Sequence, residues 1–486
     1  ERLLERLPYA PHVQPGSSKQ CQPGTRVSLL GEIVDWVYSP NSTRGLLLYG
    51  AAGTGKSAVA NSVAKILAGR GVLAPFFAFD RSSQDRKAHQ LYPTLAAYLL
   101  CRCQRYQQSL CAQETNQLAT RDIQDQYTRL FDEPICAHTI LKPVVFIIDA
   151  LDECPDTGVD SPLRRMLLET LRTCLLDGQL PPNVRIVLTA RPDDDIQRVL
   201  MHNNAALAGR PIDNVEGTED DIRAFVEKRL EGTDVAEMAG RIAAASQPLF
   251  ECAATLCREL TGVHRPKTVQ LRRGLVKRVL QCPGRALYES YRGILEAHLD
   301  VNDEACMSSY RQLLAWIFAA RTPQTKVVLV QIVEGLHLMD SITDILNGLG
   351  SLLTGTTTND YSPIRPLHTS FRDFVLDAEA SGPFTIKPAF AVADSQLALA
   401  CVRLMGRPES GLRYNICCLS SPFVYKKDVK DLNDRLTAHI SPALQYACRE
   451  VSAHLSRCEN PDRGAGIALL CPRSHHRRQR QASCPH

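Results

Sequence analysis

The sequence predicts an α/β fold with a doubly wound parallel sheet in its first half and mainly helical segments after it. Val144–Ile148 and Val184–Thr189 are short runs rich in apolar and β-branched residues, as expected of parallel strands buried on both faces. The helical segments Lys56–Leu67 and Pro162–Leu176 alternate with such runs. After residue 217 the strand signals fade. We therefore expect one parallel sheet with right-handed crossovers before that point.

A phosphate-binding pattern lies between the first apolar run and the first helix of this region. Residues 50–57 spell G-x-x-x-x-G-K-S, directly after Leu46–Tyr49 and before a helix-prone stretch. In that context glycines let backbone N–H groups surround phosphate oxygens, Lys56 can reach the β- and γ-phosphates, and the Ser57 hydroxyl can ligate Mg²⁺. The helix start adds a partial positive charge. The pattern predicts a P-loop for ATP or ADP with Mg²⁺, and its binding residues are Gly50, Gly53, Thr54, Gly55, Lys56, Ser57 and Ala58.

Three acids follow the run Val144–Ile148, and Asp149 is the first of them. An acid at the carboxyl end of a buried parallel strand faces the crevice in which open α/β sheets bind ligands. We expect Asp149 to hold Mg²⁺, directly or through water, and Asp152 and Glu153 to orient or deprotonate a water that attacks the γ-phosphate. The alternative is that these acids only cap the next turn or helix.

Arg191 follows the other strand run and reaches the same edge of the predicted sheet. Its planar, permanently charged guanidinium group is suited to sensing a γ-phosphate. The alternative is a surface arginine before Pro192. Its position at the end of a strand favours the sensor role.

The combination resembles the NACHT group of STAND signalling ATPases and, more narrowly, the fungal NACHT proteins. The main similarity is the D-A-L-D-E sequence of residues 149–153, with a small residue after the first acid and two acids shortly beyond. The resemblance covers roughly residues 3–455, and its further pieces are Cys21–Arg26, Phe76–Phe79, Tyr92–Ala96, Asp221–Arg223 and Ile364–Phe374.

The resemblance implies a signalling switch, with roles such as innate immunity or self/non-self recognition in fungi. In such proteins a helical domain and a winged-helix domain hold an ADP-bound closed form. Exchange for ATP opens the chain, which then forms a homo-oligomer and hydrolyses ATP slowly. The resemblance also implies that Thr25 and Arg26 contact the adenine side, that Pro248 packs on the base, and that His368 reaches the β-phosphate. A lone histidine beside Leu367 is otherwise read as a core residue.

Composition is that of a globular protein of two to four domains, with 486 residues of which 44% are hydrophobic. Lys and Arg number 56 against 52 Asp and Glu, so no basic stripe indicates a nucleic-acid partner. The sequence lacks an apolar run of membrane-span length and a signal-peptide pattern, so we expect a cytoplasmic protein without a membrane partner. The 18 cysteines are scattered and indicate neither disulfides nor structural zinc.

The predicted fold class is an α/β P-loop NTPase followed by a helical domain, a winged-helix-like domain and a C-terminal helical segment. The predicted boundaries are an entry segment at 1–40, the NTPase core at 41–217, the helical domain at 218–300, the winged-helix-like domain at 301–385, the helical segment at 386–456 and a basic, disordered tail at 457–486. In the winged-helix-like region, Gly350–Thr354 and Ile364–Leu367 are candidate strands.

We expect both ends of the chain to be incomplete, because it starts at Glu1 and its tail is basic and aperiodic. Protein partners would then act through missing flanking domains. Two functions from different classes remain open: a weakly hydrolysing ATP switch, and a nucleotide-stabilised scaffold that turns over nothing. The altered residues Ser246 and Gln247 before Pro248 keep the scaffold open. A P-loop kinase fits poorly, because an acceptor hydroxyl would replace the water that Asp152 and Glu153 serve.

Overall fold

The computed structural model describes residues 4, 7–10, 14–16, 19–81, 86–111, 120–136, 142–154, 162–176, 180–202, 204–213, 215–246, 248–261, 268–281, 285–333, 339–356, 362–421, 428–429 and 431–458. The chain divides into two compact units. The first comprises Glu1–Ala297 and His368–Ser370, and the second comprises His298–Leu367 and Phe371–His486. The predicted tail beyond residue 458 lies outside the described residues.

The first unit contains a five-stranded sheet in which every pairing is parallel. The strands are β1 (Gly45–Tyr49), β2 (Phe76–Ala78), β3 (Val144–Asp149), β4 (Val184–Ala190) and β5 (Leu207–Pro211), in the spatial order β2-β3-β4-β1-β5. All residues of β3 and β4 are buried, which explains their continuous β-branched sequences. The prediction of a parallel sheet is confirmed. Because all five strands run in the same direction, their carboxyl ends meet at one edge.

Helices alternate with the strands and then continue without them. Those of the first unit are α1 (Val27–Tyr38), α2 (Lys56–Gly69), α3 (Leu91–Leu100), α4 (Gln104–Cys111), α5 (Ile123–Gln126), α6 (Glu133–Cys136), α7 (Pro162–Leu176), α8 (Asp194–Ile196), α9 (Thr218–Leu230), α10 (Ala239–Ser246), α11 (Phe250–Thr261), α12 (Val269–Gln281) and α13 (Ala286–His298), whose last residue opens the second unit. Short 3₁₀ turns include Leu151–Glu153. An α/β sheet followed by a helical region is therefore the architecture of this unit.

The regular elements in the described part of the second unit are helices. Its helices are α14 (Glu304–Ala319), α15 (Lys326–Val333), α16 (Met339–Gly348), α17 (Thr369–Leu376, whose first two residues belong to the first unit), α18 (Ala378–Ser381), α19 (Lys387–Met405), α20 (Leu432–His439) and α21 (Pro442–Leu455). A buried histidine joins two of them: His454 of α21 contacts Asp394 of α19 at 2.6 Å and Tyr446 at 2.7 Å.

The two candidate strands of this unit form a single antiparallel bridge, Leu353 with Pro366, instead of strands. The reason is local. Pro363 and Pro366 have no N–H group to donate to a ladder, so pairing ends after one residue on each side. The winged-helix assignment of residues 301–385 remains a prediction.

Among the described residues, α19 is the one helix long and apolar enough to cross a membrane, with 19 residues and a mean hydropathy of 1.2. A core helix of a soluble protein can be equally long and apolar. In the second unit α19 packs against α14 and α21. One such helix is weak evidence for a membrane span.

Candidate functional site

The phosphate-loop motif follows β1 and leads into α2, as the sequence predicts. Gly53 and Gly55 have φ values of +85° and +94°, which glycine adopts without strain. A Cβ atom at Gly50 would lie 2.6 Å from Asp213 Oδ1, so a side chain there would displace the Asp213 carboxylate. These three glycines give the loop the tight backbone that an N–H cradle for phosphate requires.

The Lys56 ammonium group lies against the start of the loop. Its Nζ donates to the carbonyl oxygens of Gly50 at 2.6 Å and Ala51 at 2.7 Å. Burial lowers the pKa of Lys56, and the carboxylate of Asp152 is the main charge that opposes this shift. Carbonyl oxygens are neutral acceptors, so a phosphate oxygen would be a stronger partner for this ammonium group.

Asp213, which follows β5, is a loop residue that the sequence argument misses. Its Oδ1 accepts the Ala51 N–H at 2.7 Å. The sheet register explains this contact, because Tyr49 of β1 pairs with Pro211 of β5 and the residues after both strands meet at one edge. The sequence signal is faint, since Leu207–Pro211 contains Gly and Pro and does not have the pattern of a buried strand.

Asp149 ends β3 beside the phosphate loop and is 4% exposed. The Thr189 hydroxyl on β4 donates to Asp149 Oδ1 at 2.6 Å and accepts the Ala150 N–H at 2.8 Å. Burial raises the pKa of Asp149, while hydrogen bonds from the Thr189 and Ser57 hydroxyls act in the opposite direction. The structure thus brings Ser57 and Asp149 together. Hydroxyl and carboxylate oxygens are hard ligands of the kind that Mg²⁺ takes.

The other two acids lie on the 3₁₀ turn Leu151–Glu153, which we call the acid turn. It begins at Ala150, whose φ of +55° costs a residue with a Cβ atom about 1–2 kcal/mol. Asp152 is 3% exposed. Arg191 binds its carboxylate twice, through the backbone N–H at 3.1 Å and through Nε at 3.2 Å. The predicted water-orienting acid and the predicted sensor are therefore direct partners.

Glu153 is the acid of this turn whose pKa is strongly shifted. Burial, and then the negative charges of Asp152 and Asp80, raise the pKa of Glu153 to about 8, against a hydrogen bond from Thr369 and the charge of Arg191. The Glu153 carboxyl is therefore mostly neutral at pH 7 in this state. A neutral carboxyl can donate a hydrogen bond, but it cannot take a proton from water.

His368 belongs to the first unit together with Thr369 and Ser370. Arg191 Nη2 donates to Thr369 Oγ1 at 3.1 Å. His368 Nδ1 contacts the Ser370 hydroxyl at 2.6 Å and accepts the Ser370 N–H at 3.2 Å. The Ser370 hydroxyl also contacts Tyr291 Oη at 2.8 Å. A neutral imidazole whose Nδ1 is an acceptor carries its proton on Nε2. Nε2–H is then the donor that His368 can offer to an anion.

Three cations and one carboxylate act on His368 through their charges. Burial lowers its pKa, and the charges of Arg191, Lys56 and Arg258 add to that shift, while Glu251 opposes it. The ring is therefore neutral at pH 7. Cationic groups gathered around a phosphate loop are typical of an anion site.

Glu251, at the start of α11, is a second contact residue that the sequence argument misses. Its backbone N–H donates to the Gly53 carbonyl at 3.1 Å. Its carboxylate accepts from Arg258 Nη2 at 2.6 Å and from Thr255 at 3.0 Å. Burial would raise the pKa of Glu251, but the charge of Arg258 and the hydrogen bonds from Arg258 and Thr255 lower it. Glu251 therefore connects the phosphate loop to the cationic cluster.

Arg26, predicted on the adenine side, lies next to the loop. Its Nη2 donates to the Thr54 carbonyl at 3.1 Å and its Nη1 to Thr218 Oγ1 at 2.7 Å. The Phe250 ring lies 4.9 Å from the guanidinium carbon, within range of a cation–π contact. The Arg26 guanidinium is thus bonded to protein groups in this state.

The remaining predicted residues lie around this centre. Thr25 is buried and lines a cavity of about 380 Å³ between the loop at Gln20–Thr25 and helices α1 and α2. Ala58 is half-buried in α2, and Pro248 is exposed. Phe250 packs near the loop, 3.9 Å from the position that a Cβ on Gly55 would take. Within the part of the chain that the structure describes, no group of three or more His, Cys, Asp or Glu side chains is placed to hold a metal ion.

We compared the chain with known protein families and solved structures to test its assignment to the P-loop NTPase fold. Residues 25–191, about a third of the chain, match the family model "Nephrocystin 3, N-terminal". No curated protein matches the chain at a significant level. A solved structure described as Drosophila ORC bound to DNA aligns with 80% of this chain and 90% of its own at 12% identity, and its TM-score of 0.34 is too low to carry an argument. The matched region holds the phosphate loop, Asp149 and Arg191 on a parallel sheet, so the first unit has a P-loop NTPase fold.

Proposed function

We propose that this chain is an ATP- and ADP-binding signalling switch of the NACHT type, with slow ATP hydrolysis and a homo-oligomer in the ATP state. One observation carries the proposal: His368, far from the phosphate loop in sequence, belongs to the same compact unit as the loop and is influenced by the charge of Lys56. A neutral Nε2–H donor beside a phosphate loop suits a diphosphate.

The residues fit Mg²⁺ and a nucleotide. Ser57 and Asp149 offer two adjacent oxygen ligands, and Mg²⁺ commonly takes only one or two protein ligands, with water and phosphate oxygens for the rest. Bound Mg²⁺ would neutralise charge that develops between the β- and γ-phosphates. The positive φ values of Gly53 and Gly55 suit a tight loop that turns N–H groups toward a phosphate, and Lys56 can exchange its carbonyl partners for phosphate oxygens. We expect the base near Thr25 and Arg26, because Arg26 contacts the phosphate loop at Thr54.

The switch needs residues that distinguish the two nucleotides. To invert a closed-to-open ratio from 1:99 to 99:1, the ligand must favour one state by roughly 5.5 kcal/mol. His368 would bind the diphosphate state, and Arg191 would bind a γ-phosphate after giving up Thr369. Each charge-assisted hydrogen bond supplies about 1.5–3 kcal/mol, so these two residues together account for much of the difference.

A nucleotide-stabilised scaffold without turnover is the second candidate, and the protonation of Glu153 favours it. With a pKa of about 8, this carboxyl is a poor base at neutral pH. Hydrolysis by the switch would then be slow and would increase as the pH approaches 8. A scaffold would release no phosphate at pH 7 or at pH 8.

The test is to identify the nucleotide that co-purifies with the chain, and to measure its mass by size-exclusion chromatography with light scattering in Mg·ADP and in Mg·ATP. We expect tightly held ADP and a larger assembly in Mg·ATP only. If ADP is bound and the chain has the same mass in Mg·ADP and in Mg·ATP, the switch is refuted and the scaffold is the function that remains. A chain that binds no adenosine nucleotide by calorimetry would refute both candidates.

Lys56→Ala and Lys65→Ala provide a matched pair of controls, because both lysines lie on α2. Lys65 donates to the Gln20 side chain at 3.1 Å at the surface, whereas Lys56 lies against the phosphate loop. We expect Lys56→Ala to weaken Mg·ATP binding by about 10–100-fold, since it removes charged hydrogen bonds. Lys65→Ala should bind like the wild type. Equal binding by both variants would remove Lys56 from the site.

A further inference from the structure

Arg164 is a charged residue at a helix position that otherwise buries leucine. On α7 the residues Leu167, Leu168, Leu171 and Leu175 form the buried stripe. Arg164 lies one turn earlier on that stripe and is 7% exposed. A buried charge is costly unless partners compensate it. The partners of Arg164 therefore indicate why a cation occupies this position.

The guanidinium group of Arg164 binds two different segments at once. Its Nε and Nη2 form a two-pronged pair with the Asp195 carboxylate at 2.7 and 2.9 Å, and Nη2 also donates to Asp193 at 3.0 Å. Its Nη1 points the other way and donates to the carbonyl oxygen of Asp152 at 3.0 Å. Asp193 and Asp195 follow Arg191 by two and four residues, and Asp152 is the centre of the acid turn.

The acid turn needs such support. Ala150 begins it with a φ of +55°, a conformation that an alanine leaves when nothing holds it. Thr189 fixes the Ala150 N–H on one side. On the other side the Asp152 carbonyl accepts from Arg164 and also from Arg81 Nη2, at 2.8 Å. The side chain of Asp152 is held in turn by Arg191.

We propose that Arg164 is a positioning residue of the nucleotide site, which fixes the acid turn against the segment that follows Arg191. The two acids and the sensor arginine then keep one geometry around the γ-phosphate. This inference rests on the function proposed above. Only a planar group with donors on three sides can span both segments, so lysine, with the same charge, cannot replace arginine here.

The experiment compares Arg164→Lys with Arg185→Lys. Arg185 is also buried, and its guanidinium group donates to the carbonyls of Pro182, Val184 and Ser39, away from the acid turn. The first measurement is hydrogen exchange in the ligand-free protein at the Glu153 and Cys154 amides, which bond within the turn at 2.8 and 3.1 Å. We expect about 10-fold faster exchange in Arg164→Lys and no change there in Arg185→Lys.

The second measurement is nucleotide affinity by calorimetry. In Arg164→Lys, Mg·ATP affinity should fall about 10-fold, while ADP affinity without Mg²⁺ stays within about twofold, because the phosphate loop is untouched. Unchanged exchange would overturn the inference, and so would faster exchange with unchanged Mg·ATP affinity. A wild-type chain that binds no nucleotide would instead refute the proposed function. The exchange data would still show whether Arg164 holds the acid turn in place.

Should Arg164→Lys fail to fold, Arg81→Ala takes its place. Arg81 is exposed, so its loss does not threaten the core, and it donates to the same Asp152 carbonyl. We expect a smaller effect, about two- to fivefold faster exchange at the Glu153 and Cys154 amides. Asp195→Asn, which keeps the shape of the Arg164 partner and removes its charge, is measured beside it. Unchanged exchange in both variants would overturn the inference.

Discussion

Substitution of Glu153 by glutamine should change how the stability of the ligand-free protein depends on pH. The pKa of Glu153 is raised from 4.5 to about 8 in the folded chain by burial and by Asp152 and Asp80. Between these two values the folded state holds a proton that the unfolded state has released. The contribution of Glu153 to the free energy of unfolding is then greatest at low pH and falls as the pH rises toward 8. Glutamine carries no such proton, so Glu153→Gln lacks this contribution.

The size of the effect follows from the two pKa values. Each pH unit inside the window removes at most about 1.4 kcal/mol. From pH 5 to pH 7 a full contribution amounts to about 2.5 kcal/mol. Because Glu153 is only half-buried by surface area, solvent screens part of it, and we expect about 1–2 kcal/mol. For a unit of this size that corresponds to a shift of about 2–6 °C in the unfolding midpoint.

The assay is thermal unfolding of the wild type and of Glu153→Gln without nucleotide at pH 5, 6 and 7. As the pH rises, the midpoint of the wild type should fall further below that of the variant. Groups that titrate in both proteins, such as Asp149, contribute equally to both midpoints and do not affect their difference. Glu227→Gln, an exposed residue on α9, is the control and should keep a constant gap. A gap between wild type and Glu153→Gln that does not vary with pH would refute the raised pKa.

Two further variants test other parts of the site. His368→Ala removes the Nε2–H donor, so we expect ADP to dissociate about 10-fold faster in stopped-flow measurements, and an unaltered rate would make His368 a packing residue. Gly50→Ala puts a Cβ 2.6 Å from Asp213 Oδ1 and displaces that carboxylate from the Ala51 N–H, so we expect a loss of about 0.5–1.5 kcal/mol in stability and weaker Mg·ATP binding. Gly69→Ala on α2 is the control, because a Cβ there meets nothing within 4 Å, and it should bind Mg·ATP like the wild type. Normal Mg·ATP binding by Gly50→Ala would show that the phosphate loop can relax around the added methyl group.

The sequence was sufficient for the parts of the fold that local pattern determines. The runs that became β3 and β4 are buried over their whole length, so their β-branched composition reports burial directly. The phosphate loop is equally local, because its glycines and Lys56 lie within eight residues. The edge strand β5 was not predictable in this way. Leu207–Pro211 is a strand because it pairs with β1, and Gly209 fits there against Met201 and Tyr49.

The contacts that hold the site together are long-range, and this is why they were missed. Asp213 reaches Ala51, and Arg164 reaches Asp195 and Asp152, only after the strands are in register. One local signal was nevertheless present for Arg164. A charge at a position of the apolar stripe of a helix has to find a partner, and the stripe of α7 was visible in the sequence.

Arg191 provides the last test, because its guanidinium group serves several partners. In this state it binds Asp152 through Nε and donates to Thr369 through Nη2. A γ-phosphate would compete with Thr369 for that donor, so the nucleotide and the segment His368–Ser370 would be coupled through one contact. Such coupling is reciprocal: whatever weakens the Thr369 contact must favour the triphosphate equally. Thr369→Val keeps the shape and loses the acceptor. We expect it to raise Mg·ATP affinity about three- to tenfold by calorimetry, with ADP affinity unchanged. Equal Mg·ATP affinity in the variant and the wild type would show that Arg191 can bind the phosphate without releasing Thr369, and the proposed coupling would have to lie elsewhere.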